Sequence, residues 1–476
     1  MLFLLLGLIL LLFAVIFFRA LTFKPKVLPK EAPAPIDFNQ DAAVDALQQL
    51  VRCKTVSCND KEQEDNREFQ KLIDLLPRLY PNVFATCSLD RLPDRALLFH
   101  WKGRESGEPA VLMAHYDVVP ANDAQWEKPP FAAILEDGVL WGRGTLDTKV
   151  TFNGVLSAAN HLIGQGYQPR NDIYFAFSVG EEVNGPGARR IVQFFADNHI
   201  TPGIVVDEGG AVVENVFPGV KQPCGLIGIA EKGMGNVQYK VRSAGGHASA
   251  PKPHTPVGVL SRACARVENH PFPCHMDGPA RQMFDTLGRH STFGYKVIFA
   301  NFGLFGWVIN LLAKKSGGEM NALIRTTSAF TQMSGSPARN VIPTEASMTA
   351  NMRLNPSDSV SSTLARLKKT VKDPHVEIST LESFEPSRVS RTNCPAWNTI
   401  SDAVAETWPG CIVSPYLMVQ CSDSRHYGAI SDRVYRFSAM ALTADERATI
   451  HGNNERIRVE AIGKAVEFYI RLMEKC

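Results

Sequence analysis

Residues 1–18, MLFLLLGLILLLFAVIFF, carry no charged side chain, and Arg19 ends the run. About 18 consecutive apolar residues are enough to cross the hydrocarbon core of a bilayer. The run lacks a basic leader region and a small-x-small cleavage site, so it reads as an uncleaved anchor over 1–19 and not as a signal peptide. Lys24, Lys26 and Lys30 follow it. Cations on that side favour a cytoplasmic body, although one short segment leaves the side of the membrane open. The next stretch, KPKVLPKEAPAPID, is Pro-rich and charged, and predicts a stiff tether over 20–40.

From Asp41 to about Lys232 two periodicities alternate. DAAVDALQQLV predicts a helix with Asp41 as its N-cap. AVLMAHYDVV, IYFAFSV and GIVVDEGG are short apolar runs, separated by the helical patterns NGVLSAANHLIGQG and GARRIVQFFADN. Strands alternating with helices predict an α/β domain, with a mostly parallel mixed sheet flanked by helices. In such sheets sites form beyond the carboxyl ends of the strands. After Gly235 the texture changes. NVQYKVRSAGGHASAP and SMTANMRLNP read as strands, PVGVLSRACARVEN and SVSSTLARLKKTVK as helices, and HVEISTLESF as another strand. These predict a smaller α+β unit over 235–385, inserted between the two parts of the first domain, 41–234 and 386–476. The chain ends in a helical pattern in which Ile462, Val466, Tyr469 and Met473 share a face.

Composition narrows the picture. The chain has 476 residues, 45% apolar and 21% charged, which allows more than one core. The net charge of +2 and the absence of Lys/Arg runs argue against a nucleic-acid partner. The ten cysteines include no C-x-x-C pair, so they read as free thiols and not as a zinc finger or disulfide scaffold.

Ionisable residues end the apolar runs. His115 and Asp117 close the first, Glu181 and Glu182 the second, and Asp207 the third, with Glu208 beside it as an alternative. Adjacent buried carboxylates repel one another, and a cation at that edge would let them coexist. On a strand, His115 and Asp117 face the same way, so Asp117 can orient one imidazole nitrogen and free the other for a metal. Asp147 follows two glycines in WGRGTLDTK. His451 and His247 lie in loops. Taken singly, each of these has an ordinary alternative as a turn, cap or surface residue. Together, histidines and carboxylates at successive strand ends suit two divalent ions such as zinc, cobalt or manganese.

MAHYDVVP, WGRGTLDTK, GEExNG, VDEGG, GGHASAP, DSRH and IHGxNE resemble, in order and spacing, the aminoacylase/carboxypeptidase family of zinc hydrolases, peptidase family M20. Trp126 to Phe131, WEKPPF, and IHGNNE are similar to the branch that holds carboxypeptidase S and the N-fatty-acyl-amino acid synthase/hydrolases. The resemblance implies a di-zinc exopeptidase-like catalytic domain with an inserted lid, which is also a possible surface for homodimerisation. It implies one zinc ion on His115, Asp147 and Asp207, and another on Asp147, Glu182 and His451, with Asp147 bridging. It implies Glu181 as general base, Asp117 as the residue orienting His115, and His247 as the group that steadies the oxyanion. Arg353, Arg425 and Asn340 become candidates for the substrate carboxylate. Thr148, Ala248 and QCSDSR depart from the commoner pattern; they remove no proposed ligand and bear on the substrate end.

Three functions are in view. The first is a membrane-tethered amidohydrolase cutting N-acyl amino acids, and able to run in reverse. The second is a carboxypeptidase or dipeptidase of the same family. The third is a non-catalytic metal-bearing binding protein, which the presence of Glu181 with a full ligand set argues against. The apolar stretch YKVIFANFGLFGWVINLLAKK, 295–315, is expected to be a buried helix or contact of the smaller domain, with an acyl-chain wall or a membrane-dipping element as the sharper expectation.

Overall fold

The computed structural model describes residues 2–26, 33–215, 217–276 and 278–476. The middle of the expected tether, 27–32, lies outside the described residues. Residues 2–22 form one helix, Leu2–Thr22, apolar and long enough to cross a membrane. Only Ile16 and Ala20 of that helix are buried.

The main sheet has eight strands, in the order Ser88–Leu92, Ala96–Trp101, Ile173–Ser178, Ala110–His115, Ile204–Val213, Val434–Ala441, Cys224–Glu231 and Ile412–Met418. The central pairs, Ala110–His115 with Ile173–Ser178 and with Ile204–Val213, are parallel, as is Ile204–Val213 with Val434–Ala441. The first two strands add an antiparallel edge. Every residue of AVLMAH and IYFAFS is buried. That is why these runs are unbroken in hydrophobicity: strands covered on both faces have no polar side to alternate with. Helices Lys149–Gly164 and Val459–Lys475 pack together; a Cβ at Gly154 would come within 3.1 Å of the Tyr469 ring, so the close approach needs glycine there.

A second, antiparallel sheet orders Thr327–Ser334, Glu345–Leu354, Gly233–Arg242 and Glu377–Phe384. It forms its own core with helices Pro256–Asn269 and Val360–Val371. The α+β texture read from the sequence is thus present, with one difference. Helices Gly278–His290, Phe293–Ala300, Phe302–Ser316 and Gly318–Ile324 bury Phe284, Phe299, Phe302, Ile309 and Ile324 in the core of the eight-stranded sheet. The stretch 295–315 therefore does not belong to the smaller unit. Helix Gly278–His290 packs on strand Ile412–Met418, and Phe299 and Phe302 of the following helices pack in turn on its Phe284.

Candidate metal centre and the cavity beside it

The carboxyl ends of the three central strands meet at one edge. His115 is the last residue of its strand. Its Nδ1 donates to the Asp117 main-chain carbonyl at 3.0 Å, while the Asp117 carboxylate lies at 3.4 Å. Asp117 thus holds the ring chiefly through its backbone, and both of its carboxylate oxygens are buried without a hydrogen-bond donor. The other nitrogen, Nε2, faces Asp147 Oδ1 at 3.0 Å and Glu208 Oε1 at 3.2 Å. Asp147 Oδ2 is 3.0 Å from His451 Nε2, which is also 3.0 Å from Glu182 Oε2. Asp147 therefore bridges the two imidazoles.

Glu181 and Glu182 open the short turn after Ile173–Ser178. Gly180, at φ 92°, makes the left-handed kink that turns the chain there, a conformation that suits glycine. Glu181 joins His115 and Glu208 in one group of neighbouring ligand atoms, and His115, Asp147 and Glu182 form another. Of the two acids of VDEGG, the geometry brings Glu208 and not Asp207 beside His115. Strand Ile204–Val213 bulges just after Asp207, its register against Val434–Ala441 slipping from Asp207 to Gly210, and the two neighbouring side chains face different ways. Glu208 turns to His115, and Asp207 accepts from Ser424 N at 2.9 Å on the other side.

The electrostatics follow from burial. Desolvation opposes charge on His115, yet Glu208, Asp117 and Asp147 hold its pKa well above the ordinary value. His451 is pushed up to about 11 by its bonds to Asp147 and Glu182. Burial, reinforced by Glu208, Asp423 and Glu182, pushes Glu181 well up against the opposing pull of His115. Burial raises Glu208 to about 8. Four carboxylates around two imidazoles, with Glu182 Oε1 lacking any donor, form a donor set that suits a divalent cation.

The loop carrying Asp147 is set by a residue the sequence reading passed over. Glu455, at the end of IHGNNE, is fully buried. It accepts from Leu146 N at 2.7 Å, Gly144 N at 3.1 Å and Arg143 Nη1 at 2.7 Å. The motif itself contained the signal. The opposite partner, Lys149, donates to Leu50 O and Cys53 O.

Of the substrate-end candidates, Arg353 and Arg425 converge on one loop. Arg353 Nη1 lies 3.2 Å from Cys421 Sγ, and Arg425 Nη1 donates to Ser422 O at 2.6 Å. Cys421 lines the same cavity as Glu181 and Glu208. His247 and Asn340 are exposed at the tip of the smaller sheet, where His247 pairs with Val341 and bonds Ser249 Oγ at 2.7 Å. No recorded contact among the described residues ties either of them to the cluster.

A cavity of about 690 Å³ begins at Asp147, Glu181, Glu208 and His451. Leu226, Met418, Met440, Leu442, Ile450, Glu319 and Arg447 line the same space. Its floor follows Gly209–Gly210, where a Cβ on Gly210 would strike the Leu226 carbonyl oxygen at 1.8 Å. The polar end and the apolar run are one continuous space.

Residues 111–475 match peptidase family M20/M25/M40. The chain is 35% identical over 439 residues to an N-fatty-acyl-amino acid synthase/hydrolase, PM20D1, of Xenopus tropicalis, covering 90% of this chain and 85% of that protein. It is 33% identical over 456 residues to a probable carboxypeptidase S-like 2 of Dictyostelium discoideum, covering 93% and 87%. Its fold is similar to an M20 family metallo-carboxypeptidase of Sulfolobus solfataricus, with a TM-score of 0.65 at 16% identity, covering 91% and 98%. On the match over 111–475 and the likeness along nearly the whole chain, this protein belongs to peptidase family M20/M25/M40 and is a hydrolase of amide bonds.

Proposed function

We propose that the protein hydrolyses N-acyl amino acids, with the acyl chain lying in the apolar cavity and the amide at its polar end. The observation that carries this reading is the continuity of that cavity, from the carboxylate–imidazole cluster to Leu226, Met440 and Leu442. Apolar lining of this kind beside the reacting groups suits an acyl chain better than a polar residue. The two arginines near Cys421 stand where a substrate carboxylate can be paired.

His115, Asp147 and Glu208 would hold one zinc ion and Asp147, Glu182 and His451 the other. Such a pair supplies positive charge that polarises the amide carbonyl and acidifies water. The chain's own groups do the proton work. Glu181, raised by burial and carboxylate neighbours, takes a proton from the attacking water and returns it to the leaving nitrogen. Asp117 fixes the His115 ring, and Glu455 fixes the loop that presents Asp147. The water oxygen first bonds to the amide carbon, and the C–N bond breaks as the tetrahedral species collapses and the nitrogen takes the proton from Glu181, giving a fatty acid and a free amino acid. Helix Leu2–Thr22 is read as a retained anchor, because Ile16 and Ala20 are packed into the fold.

The test compares oleoyl-phenylalanine, acetyl-phenylalanine and unmodified dipeptides as substrates of the zinc-loaded full chain in detergent. The reading expects kcat/KM to rise from acetyl to oleoyl. Preference for the free dipeptides, with a flat or falling acyl series, would replace it with a dipeptidase or carboxypeptidase assignment.

A further inference from the structure

Helices Phe293–Ala300 and Phe302–Ser316 meet at 110°. The first lies against the N-terminal helix: Phe17 stacks on Phe293 with ring centroids 6.2 Å apart, and Asn301 Nδ2 donates to Ile16 O at 3.1 Å. The second buries Phe302, Ile309 and Ala313 in the core. Its outer side shows Leu304, Trp307, Leu311 and Leu312 to solvent, Trp307 at 66%. Large apolar residues this exposed, close together on one helix, mark a surface that is covered by something.

We propose that this bent helix pair lies in the membrane interface, with Leu304, Trp307, Leu311 and Leu312 sunk into one lipid leaflet. The occupant is a bilayer because the exposed face adjoins helix Leu2–Thr22, whose side chains from Leu2 to Phe18 are almost all exposed and apolar. At 21 residues that helix is about 31 Å long, close to the thickness of a hydrocarbon core. Cations rim the belt: Arg19 ends the first helix, and Lys314 and Lys315 end the second. Interfacial helices carry such cations against anionic headgroups. The exit of the anchor is fixed as well, since Arg289 covers the Phe23 ring at 4.3 Å and donates to Lys24 O at 2.9 Å.

The platform is joined in sequence to an element of the cavity wall. Helix Gly318–Ile324 follows Phe302–Ser316 and carries Glu319, which accepts from Tyr416 Oη at 2.9 Å and lines the cavity's far end. The inference rests on the anchor proposed above and not on the substrate, and its test reads depth instead of turnover.

The full chain is reconstituted in phosphatidylcholine–phosphatidylserine vesicles whose acyl chains are brominated. The emission lost on Trp307→Phe isolates Trp307 from the other tryptophans. An interfacial helix sits about 5–10 Å into the leaflet, so bromine is expected to remove at least about half of that emission while aqueous iodide removes little. A Leu311→Asp/Leu312→Asp protein is expected to float with the vesicles through its N-terminal helix yet to lose the bromine quenching. Flotation with Trp307 quenched by iodide and not by bromine overturns the platform and leaves the anchor standing. Trp307 quenched by neither points to a second copy on that face and also overturns it. A full chain that does not float overturns both.

Discussion

Glu455 and Arg143 form an ion pair of 2.7 Å in which neither side chain is more than 3% exposed. The second carboxylate oxygen of Glu455 takes the backbone N–H of Leu146 and Asp147. The pair therefore shapes the loop that delivers Asp147 between His115 and His451. Breaking a buried pair by removing one partner costs about 3–5 kcal/mol. Glu455→Ala is expected to lower the unfolding free energy by about that much in urea, and to reduce bound zinc measured by mass spectrometry. Normal stability with full metal content would refute the role.

The two acids of VDEGG separate cleanly. Glu208→Ala should drop the metal content from about two ions per chain to about one, since it removes one of the three protein ligands a catalytic zinc takes. Asp207→Asn should keep its metal, because Asp207 faces Ser424 and not His115. The reverse pattern in metal analysis would restore Asp207 as the ligand.

Glu181→Gln keeps the shape of the side chain and removes its basicity. General acid–base groups contribute about 10²–10⁴-fold, and kcat is expected to fall within that range with metal content and fold unchanged. Turnover within a few-fold of the parent would exclude Glu181 as the base.

The metal-free protein should be pH-sensitive in a definite direction. Burial raises Glu208 from 4.5 to about 8, so the folded chain binds its proton more tightly than the unfolded chain does. Glu181 and His115 are shifted upward too. Where the folded state holds more protons, stability falls as pH rises. Chelated protein is therefore expected to melt at progressively lower temperature between about pH 4.5 and pH 8, and zinc should flatten the slope while releasing protons. A chelated protein equally stable across this window would contradict the upward shifts.

The cavity can be shortened from its floor. Ala211 lines it in strand Ile204–Val213. Ala211→Phe should cut kcat/KM for oleoyl-phenylalanine at least about tenfold, the scale on which a pocket discriminates hydrocarbon bulk, and cut acetyl-phenylalanine far less. Equal losses on both substrates would move the acyl chain elsewhere.

Much of this was legible in the sequence. The unbroken runs ending in His115 and Glu181 gave central parallel strands, because strands buried on both faces have no polar alternation to blur. The choice between Asp207 and Glu208 was not legible. A strand sends neighbours to opposite faces, and which of the two meets His115 depends on the register, which slips between Asp207 and Gly210. Strand Val434–Ala441 was missed for a related reason. Its VYRFSAMA places Arg436 inside the sheet, where Glu231 neutralises it at 2.9 Å, a pairing no local pattern announces. The helices of 278–324 read as part of the smaller unit because they are contiguous with it in sequence, while their apolar faces fit the larger core.

The cluster draws on residues from His115 to His451, and its last imidazole comes only 25 residues before Cys476 at the end of this sequence. During synthesis the apolar N-terminal helix and the central strands emerge from the ribosome long before the histidine that joins Asp147 to Glu182. A nascent chain paused before that point carries those two acids side by side, without the base they share. Assembly of the centre thus waits for the segment that carries His451, whatever has folded before it.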